Sequence, residues 1–399
     1  MKIYEYINDD KEETAKIFGF PVMTQRLDYA TSERYQSFFN GLMTSVKIID
    51  KCSDSSNKEV KILGKTVLKR ILKDNSLTYY LGNKEIRHVS LLDKFKKNYI
   101  KYFDKNHDDI YILTANSGET YLILTYLIDA LIKKNNSKKP LLVATFKYHV
   151  DMIKMICPDI PYVYIGKFRL RLTDKPFSID GFRFFLLFNK NYFQQVEHNI
   201  KQRELGTYNY FQALQERLGL PERDVSMRRI HVSLDDEQKM LEKVKKTGLN
   251  LEKFVFLAPE AQSCKLYDED LWSELITGFQ AKGYDVFVNL TGNEFKFSEA
   301  GNYKTCNLTF AEAFALARLS KKIVSLRSGF TEFLLQTNVP SYTLYTRFRR
   351  RTAFRSMDVY HIMSGFSLMC HPYVDKSKIY EFNMYETSPK SCIDTILNT

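Results

Sequence analysis

The feature that most limits the fold is a repeated alternation of short apolar runs with helical patterns. Apolar runs at 110–115, 141–145 and 162–166 are separated by turn residues and amphipathic segments. A second block, from 254 to 345, repeats the same order. Strands that alternate with helices predict a parallel sheet covered on both faces. The chain is therefore predicted to be an α/β protein with two Rossmann-like domains that face each other across a cleft.

The first hundred residues follow a different pattern. Three β-prone runs, at 15–22, 60–67 and 77–84, each contain a glycine near their middle. Such runs predict hairpin-like units in which glycine supplies the turn. The predicted organisation is a β-hairpin-rich extension at 1–104, a first Rossmann-like domain with an aromatic-rich insert at 105–240, a second Rossmann-like domain at 241–365, and a helical tail at 366–399 that packs back on the N-terminal half.

The charge balance favours anionic partners. Lys and Arg number 59 and Asp and Glu number 47, so the formal net charge is +12, which suits nucleotides, phospholipid surfaces or nucleic acid. The six cysteines lie far apart without a C-x-x-C pair, so neither a zinc site nor a disulfide framework is indicated. No signal peptide and no apolar run of about 20 residues is present, so we predict a cytoplasmic protein with at most peripheral membrane contact.

The strand at Ile323–Leu326 runs into a small polar turn that holds Arg327, Ser328 and Gly329, and a helix follows. Backbone amides at the start of a helix form an anion site, and a guanidinium adds a planar cation suited to phosphate. This turn is predicted to hold a nucleotide diphosphate. The alternative is an ordinary strand-turn-helix connection whose arginine forms a surface salt bridge.

Other strands of the two blocks end in turns with similar chemistry, and open parallel sheets bind ligands beyond the carboxyl ends of their strands. The strand at 254–258 is followed by Pro259 and, a few residues on, by Lys265, which can reach a phosphate. Thr291 and Gly292 follow the strand at 285–290.

These motifs together carry a resemblance. A Pro-x-Ala-x-Ser-x-Lys segment from Pro259 to Lys265, a helix containing Trp272, a Thr-x-x-Glu helix start at Thr309 and the Arg-Ser-Gly turn at Arg327 occur in that order. This order resembles the donor half of GT-B glycosyltransferases. It is most similar to the heptosyltransferase-like group and to bacterial enzymes of lipopolysaccharide or capsule assembly. The match covers roughly 109 to 345.

The resemblance implies that the second domain holds a nucleotide-sugar donor and that the first holds a glycan or lipid-linked glycan acceptor. The implied donor-binding residues are Pro259, Lys265, Thr291, Gly292, Arg327, Ser328, Gly329, Phe330, Thr331 and Glu332. The implied acceptor-binding residues are Asn116, Ser117, Gly118 and His149.

The heptosyltransferase-like group typically has Gly-Asp at the start of the first helix, with the aspartate as general base, where this chain has Gly118-Glu119. Glu119 is thus predicted to act as the base of an inverting transfer, because a carboxylate near an acceptor hydroxyl can take its proton. The alternative is a first-turn helix cap. Glu332 either binds a ribose hydroxyl or favours its helix N-terminus, and His149 is either a second base or a buried structural histidine.

Two further patterns have two interpretations each. Asp268-Glu269-Asp270 has the D-x-D spacing of metal-dependent glycosyltransferases, but acidic residues are also common where a helix begins. We predict no metal and no cofactor. The basic run Arg347–Arg355 predicts contact with an anionic membrane or a phosphorylated ligand, or else a solvated loop. No nucleic-acid-binding signature accompanies it, and no nucleic-acid partner is predicted.

The resemblance therefore implies a glycosyltransferase of hexosyl or heptosyl type. It would build a surface polysaccharide, lipopolysaccharide or other glycan. The alternatives are an enzyme of the same fold that modifies nucleotide sugars, such as an epimerase, and a non-catalytic GT-B-like binding or scaffold protein.

Overall fold

The computed structural model describes the strand backbones at 4–8, 12–17, 20–28, 33–38 and 43–50, and then residues 55–166, 168, 170, 172, 175–187, 208–221, 225–261, 264, 267, 269–290, 303–346 and 363–399.

The N-terminal extension is a single antiparallel meander of nine strands, in which each strand pairs with the next. The strands are β1 Tyr4–Asn8, β2 Glu12–Ile17, β3 Phe20–Asp28, β4 Glu33–Phe38, β5 Met43–Asp50, β6 Ser55–Ile62, β7 Lys65–Lys73, β8 Ser76–Leu81 and β9 Lys84–Ser90. Gly64 and Gly82 have φ of +77° and +59° in the turns after β6 and β8, a conformation that glycine adopts without strain. The predicted hairpin-like units are present.

The first α/β unit contains a five-stranded sheet in the order β12-β11-β10-β14-β13. Its strands are β10 Asp109–Leu113, β11 Pro140–Ala144, β12 Tyr162–Tyr164, β13 Phe177–Ile179 and β14 Phe182–Leu186. Strand β14 lies parallel to β10 and belongs to the aromatic-rich insert. Burial alternates along it, since Phe182, Phe184 and Leu186 are buried and the two residues between them are not. The insert thus completes this sheet.

The second α/β unit contains a five-stranded sheet in the order β16-β15-β17-β18-β19, and every pair in it is parallel. Its strands are β15 Phe254–Ala258, β16 Asp285–Val288, β17 Ile323–Leu326, β18 Ser341–Tyr345 and β19 Ile379–Asn383. The predicted α/β fold with two Rossmann-like units is confirmed.

Helices cover both sheets. They are α1 Leu91–Tyr99, α2 Ser117–Leu122, α3 Ile128–Lys134, α4 Lys147–Ile156, α5 Tyr210–Leu218, α6 Leu234–Lys245, α7 Glu269–Ala281, α8 Phe310–Leu319, α9 Gly329–Leu334 and α10 Pro389–Asn398. A π-helical turn, Ile123–Leu127, joins α2 to α3, so these segments form one interrupted helix. Within the ranges that the structure describes, no helix is long and apolar enough to cross a membrane.

The two α/β units share one apolar core. Tyr121 of α2, Phe314 of α8 and Phe333 of α9 belong to the same buried cluster. The ring centroids of Tyr121 and Phe333 are 4.9 Å apart. Because these side chains are removed from water together, the apolar contact holds the two units against each other.

The helix at the end of the C-terminal tail packs on the second unit and not on the N-terminal half. Cys392, Ile393 and Ile396 of α10 pack into the core of the second sheet, and Leu397 lies against Gly278 of α7. The reason is that β19 adds to the edge of the second sheet, so the chain returns over that unit. Among the described residues, Met363, Phe366 and His371 contact the first unit.

Candidate functional site

Two strand-to-helix turns, one from each α/β unit, meet head to head. The turn after β10 leads into α2, and the turn after β17 leads into α9. A Cβ added at Gly329 would lie 2.4 Å from the Oγ of Ser117 and 2.5 Å from the backbone N of Gly118. Only glycine permits so close an approach of two backbones. The carboxyl ends of the two sheets therefore come together at this point, which we call the junction.

The turn on the second unit is held by its own hydroxyl groups. Ser328 caps α9 by accepting a hydrogen bond from the backbone N–H of Thr331 at 3.3 Å, and the Thr331 hydroxyl accepts one from the backbone N–H of Ser328 at 3.1 Å. Thr331 also donates to the carbonyl of Leu326 at 3.0 Å. This reciprocal cap fixes the first turn of the helix. Both residues are predicted donor-binding residues, and in this structure they shape the turn.

Arg327 and Glu332 form a buried ion pair beneath that turn. The Nη2 of Arg327 lies 2.5 Å from the Oε1 of Glu332, and the two residues are only 7% and 4% exposed. Arg327 also donates to the carbonyls of Ser328 at 2.6 Å and Phe366 at 3.1 Å. Its guanidinium thus ties β17, α9 and the segment after 363 together. The pair is buried, in contrast to the surface salt bridge considered as the alternative.

Burial and pairing act in opposite directions on these two groups. Burial alone disfavours the charged guanidinium, but the carboxylate of Glu332 raises the pKa of Arg327 above its ordinary value. For Glu332, burial disfavours the charged carboxylate and raises its pKa, while the charge of Arg327 opposes that shift. Arg327 therefore remains the cation of the junction. Its predicted contact with a donor phosphate stays a prediction, because in this structure its N–H groups already hold three protein oxygens.

One oxygen of the pair has no hydrogen-bond partner among the residues that the structure describes. This oxygen is the Oε2 of Glu332, which is buried and would lie 2.8 Å from a Cβ placed on Gly118. A buried acceptor without a donor costs free energy, about 1–3 kcal/mol for an ordinary group. The junction can therefore take one more hydrogen-bond donor, such as a hydroxyl group of a ligand.

The facing turn carries Glu119 and is held by His149. Glu119 is 7% exposed and lies in the first turn of α2. His149 is fully buried. Its Nδ1 accepts from the backbone N–H of Thr145 at 3.3 Å, so its Nε2 carries the proton and donates to the carbonyl of Ala115 at 3.0 Å. Burial lowers the pKa of His149 to about 4. The histidine is thus neutral and positions the turn.

An aromatic pair beside Glu119 escaped the sequence analysis. Phe146 and Tyr148 stack with ring centroids 5.3 Å apart and an interplanar angle of 7°. Phe146 is 36% exposed, and Tyr148 donates to the carbonyl of Ala115 at 2.9 Å. Burial raises the pKa of Tyr148, and the charge of Glu119 adds to that shift. The sequence does contain a signal for them, because Phe146 and Tyr148 follow the end of β11, just as the predicted site residues follow the ends of other strands.

The remaining predicted residues are distributed as follows. Pro259 is buried after β15, and Phe330 packs against Phe310 with ring centroids 4.9 Å apart. Asn116 precedes α2 as its N-cap residue without a side-chain cap bond. Lys265, Thr291, Gly292 and the basic run Arg347–Arg355 lie outside the described residues.

Comparisons with known proteins give neighbours in structure alone. No protein-family model and no curated protein sequence matches the chain. Family 9 glycosyltransferase from Veillonella parvula DSM 2008 is similar over 61% of this chain and 81% of that chain, with 11% identity and a TM-score of 0.42. ADP-heptose LPS heptosyltransferase II from E. coli is similar over 73% and 98%, with 10% identity and a TM-score of 0.43. These neighbours are of the group that the sequence resembles.

A third neighbour corrects the prediction that no metal is present. The glycosyltransferase TibC from enterotoxigenic E. coli H10407 is described as iron-containing and dodecameric. The similarity covers 86% of this chain and 77% of the TibC chain, with 13% identity and a TM-score of 0.40. The expectation of no metal therefore does not stand. In the described part of this chain, no group of three or more His, Cys, Asp or Glu residues could hold a metal ion.

Proposed function

We propose that this protein transfers a sugar from a nucleotide-sugar donor to a glycan acceptor. The observation that carries the proposal is the junction, where two strand-to-helix turns from two parallel sheets meet and each contributes a buried carboxylate. Sites of open α/β sheets lie at these ends of the strands. Buried carboxylates near such a site are candidates for proton transfer or hydroxyl recognition.

In the proposed reaction, Glu119 takes the proton of an acceptor hydroxyl while that oxygen attacks the anomeric carbon of the donor sugar. The bond between that carbon and the phosphate oxygen breaks, and the nucleoside diphosphate leaves with both electrons. A single displacement of this kind inverts the configuration at the anomeric carbon. The leaving diphosphate would be met by the turn at Ser328 and Gly329, with Arg327 and Lys265 as its cations.

The other parts of the site have proposed roles that follow from their contacts. The unpaired Oε2 of Glu332 would accept a hydroxyl of the donor, because a buried acceptor is stabilised by gaining a partner. The stacked pair Phe146 and Tyr148 would carry the acceptor sugar beside Glu119, since aromatic faces bind the apolar faces of sugars. The basic run Arg347–Arg355 would hold the protein at an anionic membrane surface.

The proposed substrate class is a hexose or heptose donor and a surface polysaccharide or lipopolysaccharide acceptor. ADP-heptose, with which the heptosyltransferase TibC is described as forming a complex, belongs in the panel of donors. The panel also contains sugar conjugates of UDP and GDP, because the proposed contacts at the junction are to a diphosphate and a hydroxyl and not to one base.

A non-catalytic binding protein is the second candidate. It is favoured by two features of the junction. Arg327 is already held by Glu332 and by two carbonyls. The facing backbones are also so close that they leave no room for a methyl group at Gly329. A catalyst must open this contact to admit a donor. A scaffold protein would keep it closed.

The test is the release of nucleoside diphosphate from each donor by the wild type and by Glu119→Gln. The variant removes the negative charge and keeps the shape, so turnover should fall by about 10²–10⁴-fold, the contribution typical of a general base, while donor affinity is kept. Glu269→Gln is the matched control, because Glu269 also lies in the first turn of a helix. Equal turnover in all three proteins would show that Glu119 is a helix cap, and donor binding without turnover in the wild type would favour the scaffold.

A further inference from the structure

The N-terminal sheet carries a row of cations that the strand register makes contiguous. Lys58 of β6 lies opposite Arg70 of β7, Arg70 opposite Tyr79 of β8, and Tyr79 opposite Arg87 of β9. Residues directly opposite each other on antiparallel strands share a face, with Cβ atoms about 4.5–5.5 Å apart. Three basic side chains and one aromatic side chain therefore lie in one line across four strands. We call this line the basic row.

The backbone register places two further basic residues in line with the basic row, beyond β6. Lys47 of β5 pairs with Lys58, and Arg34 of β4 pairs with Lys47. No acidic residue interrupts these register positions. Neighbouring strands lie about 4.8 Å apart, so the four strands of the basic row span roughly 14 Å. A ligand that contacts the whole row must therefore be extended and run across the strands.

The opposite face of the same strands is arranged differently. Glu59 lies opposite Lys69, and Tyr80 opposite Glu85. The Nζ of Lys69 is 3.3 Å from the Oε1 of Glu59, and the Nζ of Lys61 is 3.9 Å from its Oε2. Opposite charges thus neutralise one another on this face. Like charges placed opposite each other destabilise a sheet, so the stability of the sheet does not explain the basic row.

The basic row lies next to the first α/β unit. Leu72 and Leu77 form the next pair on the same face, two residues along each strand, and both pack in the cluster that contains Phe95 of α1. Two residues of a strand correspond to about 7 Å. Arg87 is exposed and Arg70 and Tyr79 are half-buried, so the row is reachable at the edge of that contact.

We propose that the basic row binds an extended acidic glycan, a chain whose sugar units carry phosphodiester or carboxylate groups. Each guanidinium offers a planar pair of donors to such an anion, and the ring of Tyr79 between Arg70 and Arg87 offers a face to a sugar. The role of this glycan as the acceptor rests on the proposed function, in which the first α/β unit holds the acceptor. The binding itself does not require that function.

The experiment measures binding of the full chain to fluorescein-labelled oligogalacturonate and to a labelled poly(glycerol phosphate) chain by anisotropy at increasing salt. The first probe presents carboxylates and the second phosphodiesters, so the two arms distinguish the anion. For Arg70→Gln with Arg87→Gln, the expected result is a loss of affinity of about tenfold or more. The slope of log affinity against log salt should also become smaller by about two, since each cation releases about one counterion.

The matched control is Lys61→Gln with Lys69→Gln, which removes the same charge from the opposite face and should bind as the wild type. Equal loss in both double variants, or no binding at low salt by wild type whose far-UV circular dichroism is that of a folded protein, would overturn the proposal. Tighter binding to poly-dT or to phosphatidylglycerol vesicles would overturn the choice of ligand. Donor turnover is measured on the same samples: turnover without glycan binding refutes this inference alone, and glycan binding without turnover refutes the proposed function alone.

Discussion

A methyl group at position 329 should wedge the junction apart. In Gly329→Ala, the added Cβ would lie 2.5 Å from the backbone N of Gly118, whereas ordinary contact begins at 3.4 Å. The two backbones must separate by 3.4 − 2.5 = 0.9 Å to relieve this overlap. The Oγ of Ser117, at 2.4 Å, can rotate away, but the backbone N of Gly118 cannot. We therefore expect a destabilisation of about 1–3 kcal/mol, the range for overpacking a well-packed site.

Gly278→Ala is the matched control, because the same kind of substitution meets a different neighbour. A Cβ at Gly278 would lie 2.5 Å from the Cδ1 of Leu397, which can rotate away. Alanine is favoured over glycine within a helix by about 1 kcal/mol, so the control should be close to neutral or slightly stabilising.

Urea unfolding of the wild type and both variants, followed by circular dichroism, measures these free energies, and diphosphate release measures the effect on the site. We expect Gly329→Ala to lose both stability and turnover, because Gly329 is the first residue of α9 and lies at the turn that would contact the donor. If Gly329→Ala unfolds at the same urea concentration as Gly278→Ala and keeps full turnover, the two units do not meet as described.

Three further outcomes are expected. Arg327→Met should cost about 3–5 kcal/mol by leaving Glu332 buried without its cation, and adding Glu332→Met should recover part of that loss in urea unfolding; a loss equal to the sum of the single variants would refute the pairing. Burial lowers the pKa values of His149 and His371 to about 4 and about 3 from 6.5. Below pH 6.5 each histidine is protonated in the unfolded chain but stays neutral in the folded chain. As the pH is lowered, the free energy of unfolding should therefore fall by about 1.4 kcal/mol per pH unit for each histidine. The fall should be smaller in His371→Phe, and a flat profile from pH 6.5 to 4.5 would contradict this. Phe146→Ala should raise the KM for the acceptor and leave that for the donor unchanged, as measured by initial rates; a change in the donor KM alone would contradict the proposed placement.

Local signals in the sequence predicted the elements near the junction well. The run Ile323–Leu326 is a strand, and Ser328 and Gly329 begin the helix after it, because the polar turn and the apolar run are encoded by neighbours in the chain. The same holds for Thr309, whose predicted cap pairs with Glu312 in the structure. Alternation of strands and helices then implies a parallel sheet.

Contacts between distant segments could not be predicted in this way. Strand β14 joins the first sheet beside β10, although more than sixty residues separate them, and β19 joins the second sheet from the tail. The partner of Arg327 was also missed: a guanidinium that follows a strand suits a phosphate, but it suits Glu332 one helical turn later equally well. Which anion it meets depends on burial, and burial depends on how the whole chain packs.

The register of the N-terminal sheet is a similar case. Arg70 and Lys69 are adjacent in the sequence and carry the same charge. Only the pairing of β7 with β6 and β8 shows that Lys69 faces Glu59 while Arg70 lies opposite Lys58 and Tyr79. A shift of one residue would exchange the two faces, so the basic row follows from register and not from composition.

The central claim is that the donor binds where the two units meet, and amide hydrogen exchange with and without a saturating nucleotide sugar tests it most directly. A bound donor should slow exchange in peptides that cover 116–122 and 327–334, the two turns of the junction, and leave the control helix α7 unchanged. Protection at both turns is the result we predict. A donor that is turned over or bound but protects neither turn would contradict the account.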